Sequence, residues 1–244
     1  MIYHYTSIGS LVSILKSKSI RFTRLDLVDD PEEYQFEKNG KNPAKYVYIS
    51  CWTRNSNENI PQWKLYANGS RGVRIGMDES MFGIIKDKDG YCNLFPNDYF
   101  DDKGYYFIPF YDQANILYDI KYVNNPADKY ASIFPNYGDD GSIVDFKEVG
   151  VYKSLGWAFQ EECRFKLWVT SEKGYEGIKY INDNKDLNYD YIDIPIKTNV
   201  LNNMIVTLGP ETNDSDRFIV EAILEKYIGK VNIKNSVFLK KRKV

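Results

Sequence analysis

An α+β fold, with mixed but mostly antiparallel sheets and a few flanking helices, is predicted by three observations. Short β-branched and aromatic runs dominate the chain, while the clearest helical patterns sit near its two ends. Polar turns rich in Gly, Asn, Asp and Ser separate those runs. No repeat or low-complexity linker divides the 244 residues, a length suited to one elaborated domain spanning 1–244.

The elements follow in order. "IYHYT" alternates as a strand with Ile2, His4 and Thr6 on one face, and Thr6 or Ser7 can cap a helix in which Ile8, Leu11, Val12 and Leu15 keep helical spacing. "IRFT" reads as a second strand. In "VDDPEEYQF", Asp30 before Pro31 with Glu33 three positions on fits an N-cap, a first-turn proline and a capping-box partner, against a metal or substrate role for Asp30 and Glu33. "KYVYISCWT" is the clearest central strand. "IPQWKLYA" is a short helix started by Pro61, "NGSRG" a turn and "VRIGM" a strand.

Residues 87–113, rich in Asp, Gly, Asn and Tyr, read as an insertion or loop system. "NILYDIKYV" is a strand, 126–155 a helical or irregular passage, and "WAFQEECRFKLWV" a further strand. The end supplies strand "NVLNNMIVTLG", a helix capped around Asn213 to Ser215 and running through "RFIVEAILEKYI", and strand "VNIKNSVF". The closing "LKKRKV" reads as a solvated basic tail.

Composition excludes several classes. A formal net charge of −2 gives no global basic field, so nucleic-acid binding has to rest on a local patch. Cys51, Cys92 and Cys163 form no CxxC pair, which argues against a disulfide framework or zinc knuckle and fits a reducing cytoplasm. The start has neither a basic n-region nor an apolar h-region, and no run approaches a membrane span, so no membrane partner is expected. With one histidine, His4, a metal site would need distant carboxylates or cysteines, and no metal is expected. A serine or cysteine triad fails for want of a nucleophile elbow or a local cysteine signature.

The stretch "VYKSLGWAFQEECRFKLWV" carries the chemistry. Read at strand period, Gln160, Glu162, Arg164 and Lys166 share a polar face opposite Phe159, Glu161, Cys163, Phe165 and Leu167. That face meets solvent, or it lines a cleft in which Gln160, Glu162 and Arg164 converge on a ligand.

"YHYTSIGSLVSIL" resembles the opening of many ADP-ribosyltransferase-like domains, and the "QEE" of 160–162 resembles their (E/Q)-x-E motif. More closely, the chain is similar over nearly its full length to a large bacterial family of uncharacterised domains. That likeness rests on "YHYTS" at 3–7, "DDPEE" at 29–33, "SCWT" at 50–53, "WKLYANGSRGVRIGM" at 63–77, and Trp157 with Gln160, Glu162 and Arg164. Two departures stand out: Gln160 replaces the first acid, and Cys51 and Trp52 interrupt the serine-rich middle motif.

The resemblance implies a split cleft between sheets that takes NAD as substrate. Glu162 would be catalytic, stabilising the oxocarbenium ion that forms as the nicotinamide–ribose bond breaks, and Gln160 would orient the nucleophile. His4 would hold the adenosine ribose with Thr6 nearby, and Ser50 would brace Glu162. Tyr66 or Trp63 would stack on nicotinamide, although their i, i+3 spacing equally suits core packing. Arg164 would offset the carboxylate or contact the diphosphate. The implied activity is transfer of ADP-ribose to a macromolecular acceptor, nucleic acid or protein, by a toxin or phage-defence effector with an antitoxin as a further partner. Two rivals stay open: an NAD hydrolase, and a non-catalytic module binding nucleotide or single-stranded nucleic acid on stacked tyrosines.

Overall fold

The computed structural model describes residues 1–38, 40–86, 92–94, 104–108, 116–134, 144–229 and 231–239. Most of the expected insertion at 87–113, and the tail beyond 239, lie outside them. Strand β1 (Ile2–Thr6) leads into helix α1 (Ile8–Ser17), whose N-cap is Ser7, its hydroxyl accepting from the Ser10 amide. Next come β2 (Ser19–Arg24), β3 (Val47–Thr53), α2 (Ile60–Tyr66) and β4 (Val73–Met77). The middle holds β5 (Ile85–Lys86), β6 (Cys92–Asn93), β7 (Tyr106–Phe107), β8 (Leu117–Asp119), β9 (Lys121–Val123), α3 (Tyr130–Ile133), β10 (Tyr152–Ser154) and β11 (Glu162–Thr170). The last third holds α4 (Gly174–Asn182), β12 (Tyr191–Pro195), α5 (Thr198–Asn202), β13 (Ile205–Leu208), α6 (Asp214–Ile228) and β14 (Ile233–Asn235).

The fold is α+β. Among the described residues a ten-stranded sheet runs β12-β2-β3-β1-β4-β13-β14, with β11 on β3 and β7 and β8 on β11. It is open rather than a barrel and mostly antiparallel; β13 with β14 is its parallel pair, and β9 with β10 forms a separate parallel pair. One face is packed by α1 through Leu11, Ile14 and Leu15 and by α6 through Val220 and Leu224. The capping box of α6 joins Asn213 and Asp216, and Gly229 closes the helix at φ 71°, a left-handed conformation that glycine adopts without steric cost. No helix of the described residues is long and apolar enough to cross a membrane.

The pairing of β3 positions the site. One edge is paired with β11 from Val47 to Thr53. The other is shared: β2 holds Tyr48 and Ile49, while β1 meets it through the single pair Tyr3 and Thr53. Between them Ser50, Cys51 and Trp52 have no strand partner on that edge. The sheet is therefore divided at its centre, with β1 committed along its whole length to β4 instead.

Three sequence-derived strands are corrected. Residues 155–160 form a 3₁₀ turn, and Glu161 takes a left-handed φ of 43°, so β11 starts at Glu162. The cause is competition for carbonyls. Asn59 Nδ2 donates to Phe159 O at 2.7 Å, Gln62 Nε2 to Gln160 O at 2.6 Å and Thr53 Oγ1 to Glu161 O at 2.8 Å, satisfying side-chain by side-chain what a ladder would otherwise satisfy. The run 115–123 splits at Ile120, whose amide still bonds Glu162 O, whereas the Lys121 amide bonds Val151 O; the chain passes from the edge of β11 to β10. In 199–209 the helical turn α5 buries the adjacent Val200 and Leu201, which no alternating strand could do on one face, before β13 begins at Ile205.

Candidate functional site

A cavity of about 360 Å³ opens at the gap in the sheet, within the size range of small-molecule sites. Its walls include Tyr3, His4 and Tyr5 of β1, Arg21 and Thr23 of β2, Ile49 to Trp52 of β3, and Asp29, Asp30 and Glu33 from the turn after β2. Gln62 and Tyr66 of α2, Lys153 of β10, and Trp157, Gln160 and Glu162 complete it.

Glu162, Arg164 and Lys166 share one face of β11, as strand period requires. That face does not meet solvent. Arg164 is fully buried, Glu162 is 7% exposed, and Lys166 Nζ is capped by the carbonyls of Phe146, Lys147 and Val149 at 3.0, 2.8 and 2.8 Å.

Four charges interlock beneath the cavity. Arg164 donates through Nε to Glu162 Oε1 at 2.7 Å and through Nη1 to Glu33 Oε2 at 2.5 Å. Lys153 Nζ lies 3.0 Å from Glu33 Oε1 and 3.0 Å from Glu162 Oε2. Two carboxylates and two cations thus balance in an alternating ring, the condition under which buried charge is tolerated. Burial alone would raise the Glu162 carboxyl; Arg164 and then Lys153 outweigh it and hold it below the usual carboxylate range. Arg164 Nη2 also lies 2.6 Å from Glu162 Oε1 and the Cys51 thiol hydrogen-bonds the carboxylate, so Arg164, Lys153 and Cys51 take up most of its acceptor capacity and Glu162 acts on the cavity chiefly through its charge.

The expected site residues separate into two groups. His4, Ser50, Tyr66, Gln160 and Glu162 line the cavity; Thr6 and Arg164 do not. Thr6 is buried opposite Val73 at the end of β1, away from the gap. Arg164 lies behind Glu162, so of its two expected roles the geometry leaves the offsetting of the carboxylate and not contact with a diphosphate. Ser50 accepts from Trp52 Nε1 at 3.0 Å and, paired opposite Phe165, belongs to the other face of β3 from Glu162's partner Thr53, so it does not brace Glu162. Gln160 is not a strand neighbour of Glu162. Its amide spans Lys153 Nζ at 2.7 Å and the Tyr66 hydroxyl, joining the two groups that flank the carboxylate.

Register places His4 and Glu162 on opposite sheet faces, because Glu162 pairs with Thr53, Thr53 with Tyr3, and His4 follows Tyr3. The gap lets both reach one cavity. His4 Nδ1 bonds the Cys51 carbonyl at 2.8 Å, and the ring leans on Trp52 at a centroid distance of 5.1 Å. Since a carbonyl only accepts, Nδ1 carries the proton and Nε2 is left as an acceptor. Burial lowers the His4 pKa, the Cys51 carbonyl opposing it only in part, so the ring is neutral at pH 7. Trp63 is core: it is fully buried, edge-on to Tyr5 at 4.9 Å, and donates to Glu58. Tyr66, on the same helix, is 38% exposed at the cavity.

Two further members complete the ring. The sequence reads Glu33 as a capping-box partner, with a metal or substrate role as the alternative; Asp30 does cap the turn Pro31–Glu33, accepting from the Glu32 amide at 3.0 Å, but Glu33 turns inward to Arg164 and Lys153. Lys153 carried no expectation at all; the one available signal is an isolated lysine in the apolar-flanked "VGVYKSL". Among the described residues no group of three or more His, Cys, Asp or Glu side chains is placed to hold a metal. No protein-family model, curated protein or solved structure matches this chain.

Proposed function

We propose that this chain is an ADP-ribosyltransferase-like enzyme that takes NAD as substrate in the cavity at the gap of its sheet and passes ADP-ribose to a macromolecular acceptor, nucleic acid or protein. The observation that carries the reading is Glu162, an ionised carboxylate fixed by Arg164 and Lys153 at the floor of a cavity between divided strands. A preset negative charge of this kind stabilises an oxocarbenium ion with no reorganisation at the moment of bond cleavage. His4 supplies a neutral acceptor for a ribose hydroxyl on the opposite wall. Tyr66, held by Gln160, is the exposed aromatic group next to Glu162, and it takes over the contact with base or acceptor that the sequence reading divided between Gln160 and Tyr66. Gln160 is then a positioning residue. The role of toxin or defence effector, with an antitoxin partner, rests on the family resemblance.

The test incubates the protein with NAD labelled in its adenosine half together with separate protein, DNA and RNA pools. One labelled pool is expected, and Glu162→Gln, which removes charge and little volume, should cut labelling and nicotinamide release about 100-fold or more in protein that still folds, at a lowered Tm because Arg164 and Lys153 lose one of their two carboxylates. Full activity in a folded Glu162→Gln protein would end the reading. Release of free ADP-ribose with no labelled pool identifies a hydrolase instead.

A further inference from the structure

Asp30 stands beside the charge ring without belonging to it. It lines the cavity, is 9% exposed, and uses Oδ1 for the Glu32 amide at 3.0 Å; its Oδ2 is buried with no hydrogen-bond partner among the described residues. A buried carboxylate oxygen without a donor is costly, and the cap bond fixes the carboxylate so that it cannot swing away to find one.

The charges around it restrict what could supply that donor. Four carboxylates line the cavity, Asp29, Asp30, Glu33 and Glu162, against the two cations Arg21 and Lys153. Neither cation is uncommitted. Lys153 holds Glu33 and Glu162, and Arg21 is bound bidentate to Asp193 at 3.0 and 3.1 Å and stacked 3.5 Å over Tyr191. A phosphate entering here would have to share a guanidinium already paired with Asp193, or a lysine already holding two carboxylates, and would face an excess of negative charge. A sugar or base carrying hydroxyl or N–H donors, neutral or cationic, meets no such opposition.

We propose that Asp30 is a ligand-binding residue of this cavity, its Oδ2 accepting a hydrogen bond from a hydroxyl or N–H of a nucleoside moiety that bears no negative charge. The cavity takes the riboside end of its ligand, and any phosphates stay at or beyond the mouth. The inference rests on the glycosidic reading of the site only for the kind of nucleoside chosen as probe.

Calorimetric titration with nicotinamide riboside, a cationic N-riboside, and with inorganic pyrophosphate tests it on wild type, Asp30→Asn and Asp30→Ala. Asparagine caps a helix turn as well as aspartate, so Asp30→Asn should keep the Tm while exchanging the acceptor at Oδ2 for a competing donor. Expected are riboside binding by wild type, no pyrophosphate binding, and riboside affinity weakened on the order of tenfold or more in Asp30→Asn, as for loss of a hydrogen bond to a charged group. Asp30→Ala controls for the cap: a fall in Tm there and not in Asp30→Asn separates the two oxygens. Riboside affinity within twofold of wild type in Asp30→Asn, pyrophosphate binding equal to that of riboside, or no riboside binding by wild type overturns the proposal. NAD cleavage measured in parallel keeps the readings apart. Asp30-dependent riboside binding without cleavage retains this inference and removes the enzymatic one, and cleavage with Asp30-independent binding does the reverse.

Discussion

Residue by residue, the site is governed by which lone pairs are left open. His4 contributes Nε2 because Nδ1 is taken by Cys51 O, and the ribose contact proposed for it would be made in ground and transition states alike. His4→Ala should therefore raise the KM for NAD with a smaller effect on kcat; a collapsed kcat at unchanged KM would give His4 a proton-transfer role. The same lone pair sets a pH dependence. The part of KM that depends on Nε2 should be constant in neutral and alkaline solution and rise only as the pH falls below the ordinary histidine value of about 6.5, where the lowered His4 pKa is reached and Nε2 is protonated. Glu162 adds no titration above the usual carboxylate range, about 4.3, since its pKa lies lower. Its pairing contributes stability that is present above that range and lost as the pH falls through the lowered folded value, which acid denaturation of wild type against Glu162→Gln will measure. The sequence made the alternation of Glu162, Arg164 and Lys166 legible because strand period is local. It could not name Glu33 or Lys153 as partners, because their approach depends on how distant turns fold onto β11.

Among the elements, the end of β1 is packed closely by the turn that follows α2. Asn68, Gly69 and Ser70 carry positive φ, and the turn brings Gly72 so close to β1 that an added Cβ would lie 2.2 Å from Thr6 O and 2.9 Å from Ala67 O. Gly72→Ala has to push β1 or the turn aside, and β1 carries His4. We expect destabilisation above the roughly 1 kcal/mol typical of point substitutions, seen as a lower denaturant midpoint, together with a raised KM for NAD. A variant matching wild type in both would show that β1 moves freely. Local pattern identified β1, α1 and α6 from apolar periodicity with a cap or turn beside it, and β3 and β4 from short β-branched and aromatic runs bounded by turns. It failed at 155–161, where side chains of Thr53, Asn59 and Gln62 capture backbone carbonyls from a remote segment. Strand β12 drew no expectation although Ile192 and Ile194 alternate with exposed residues; its short run ends in Pro195, which suits the edge position it occupies.

At the scale of the whole molecule, the ring of Glu33, Lys153, Glu162 and Arg164 ties the turn after β2, the small β9–β10 pair and the large sheet into one unit. Arg164→Met leaves two buried carboxylates to a single lysine and should cost about 3–5 kcal/mol, the usual penalty for breaking a buried ion pair. Urea unfolding should show this as a lower midpoint with an unchanged m value; a loss under 1 kcal/mol would mean that Lys153 alone suffices. The fold class was legible because it needs only the order and type of the elements. A split cleft entered only through the family resemblance; the division seen here has no local signal, since nothing in the sequence of β1 tells it to follow β4 and leave β3 after a single pair. That division also bears on self-association. An open strand edge in the middle of a sheet is a template for another polypeptide, the usual start of edge-to-edge aggregation. Here the open stretch is only Ser50 to Trp52, closed at one end by β2 and at the other by Tyr3. A strand of ordinary length, about five or six residues, finds no room to dock, so the gap opens a cavity in the sheet without offering an edge to a foreign chain.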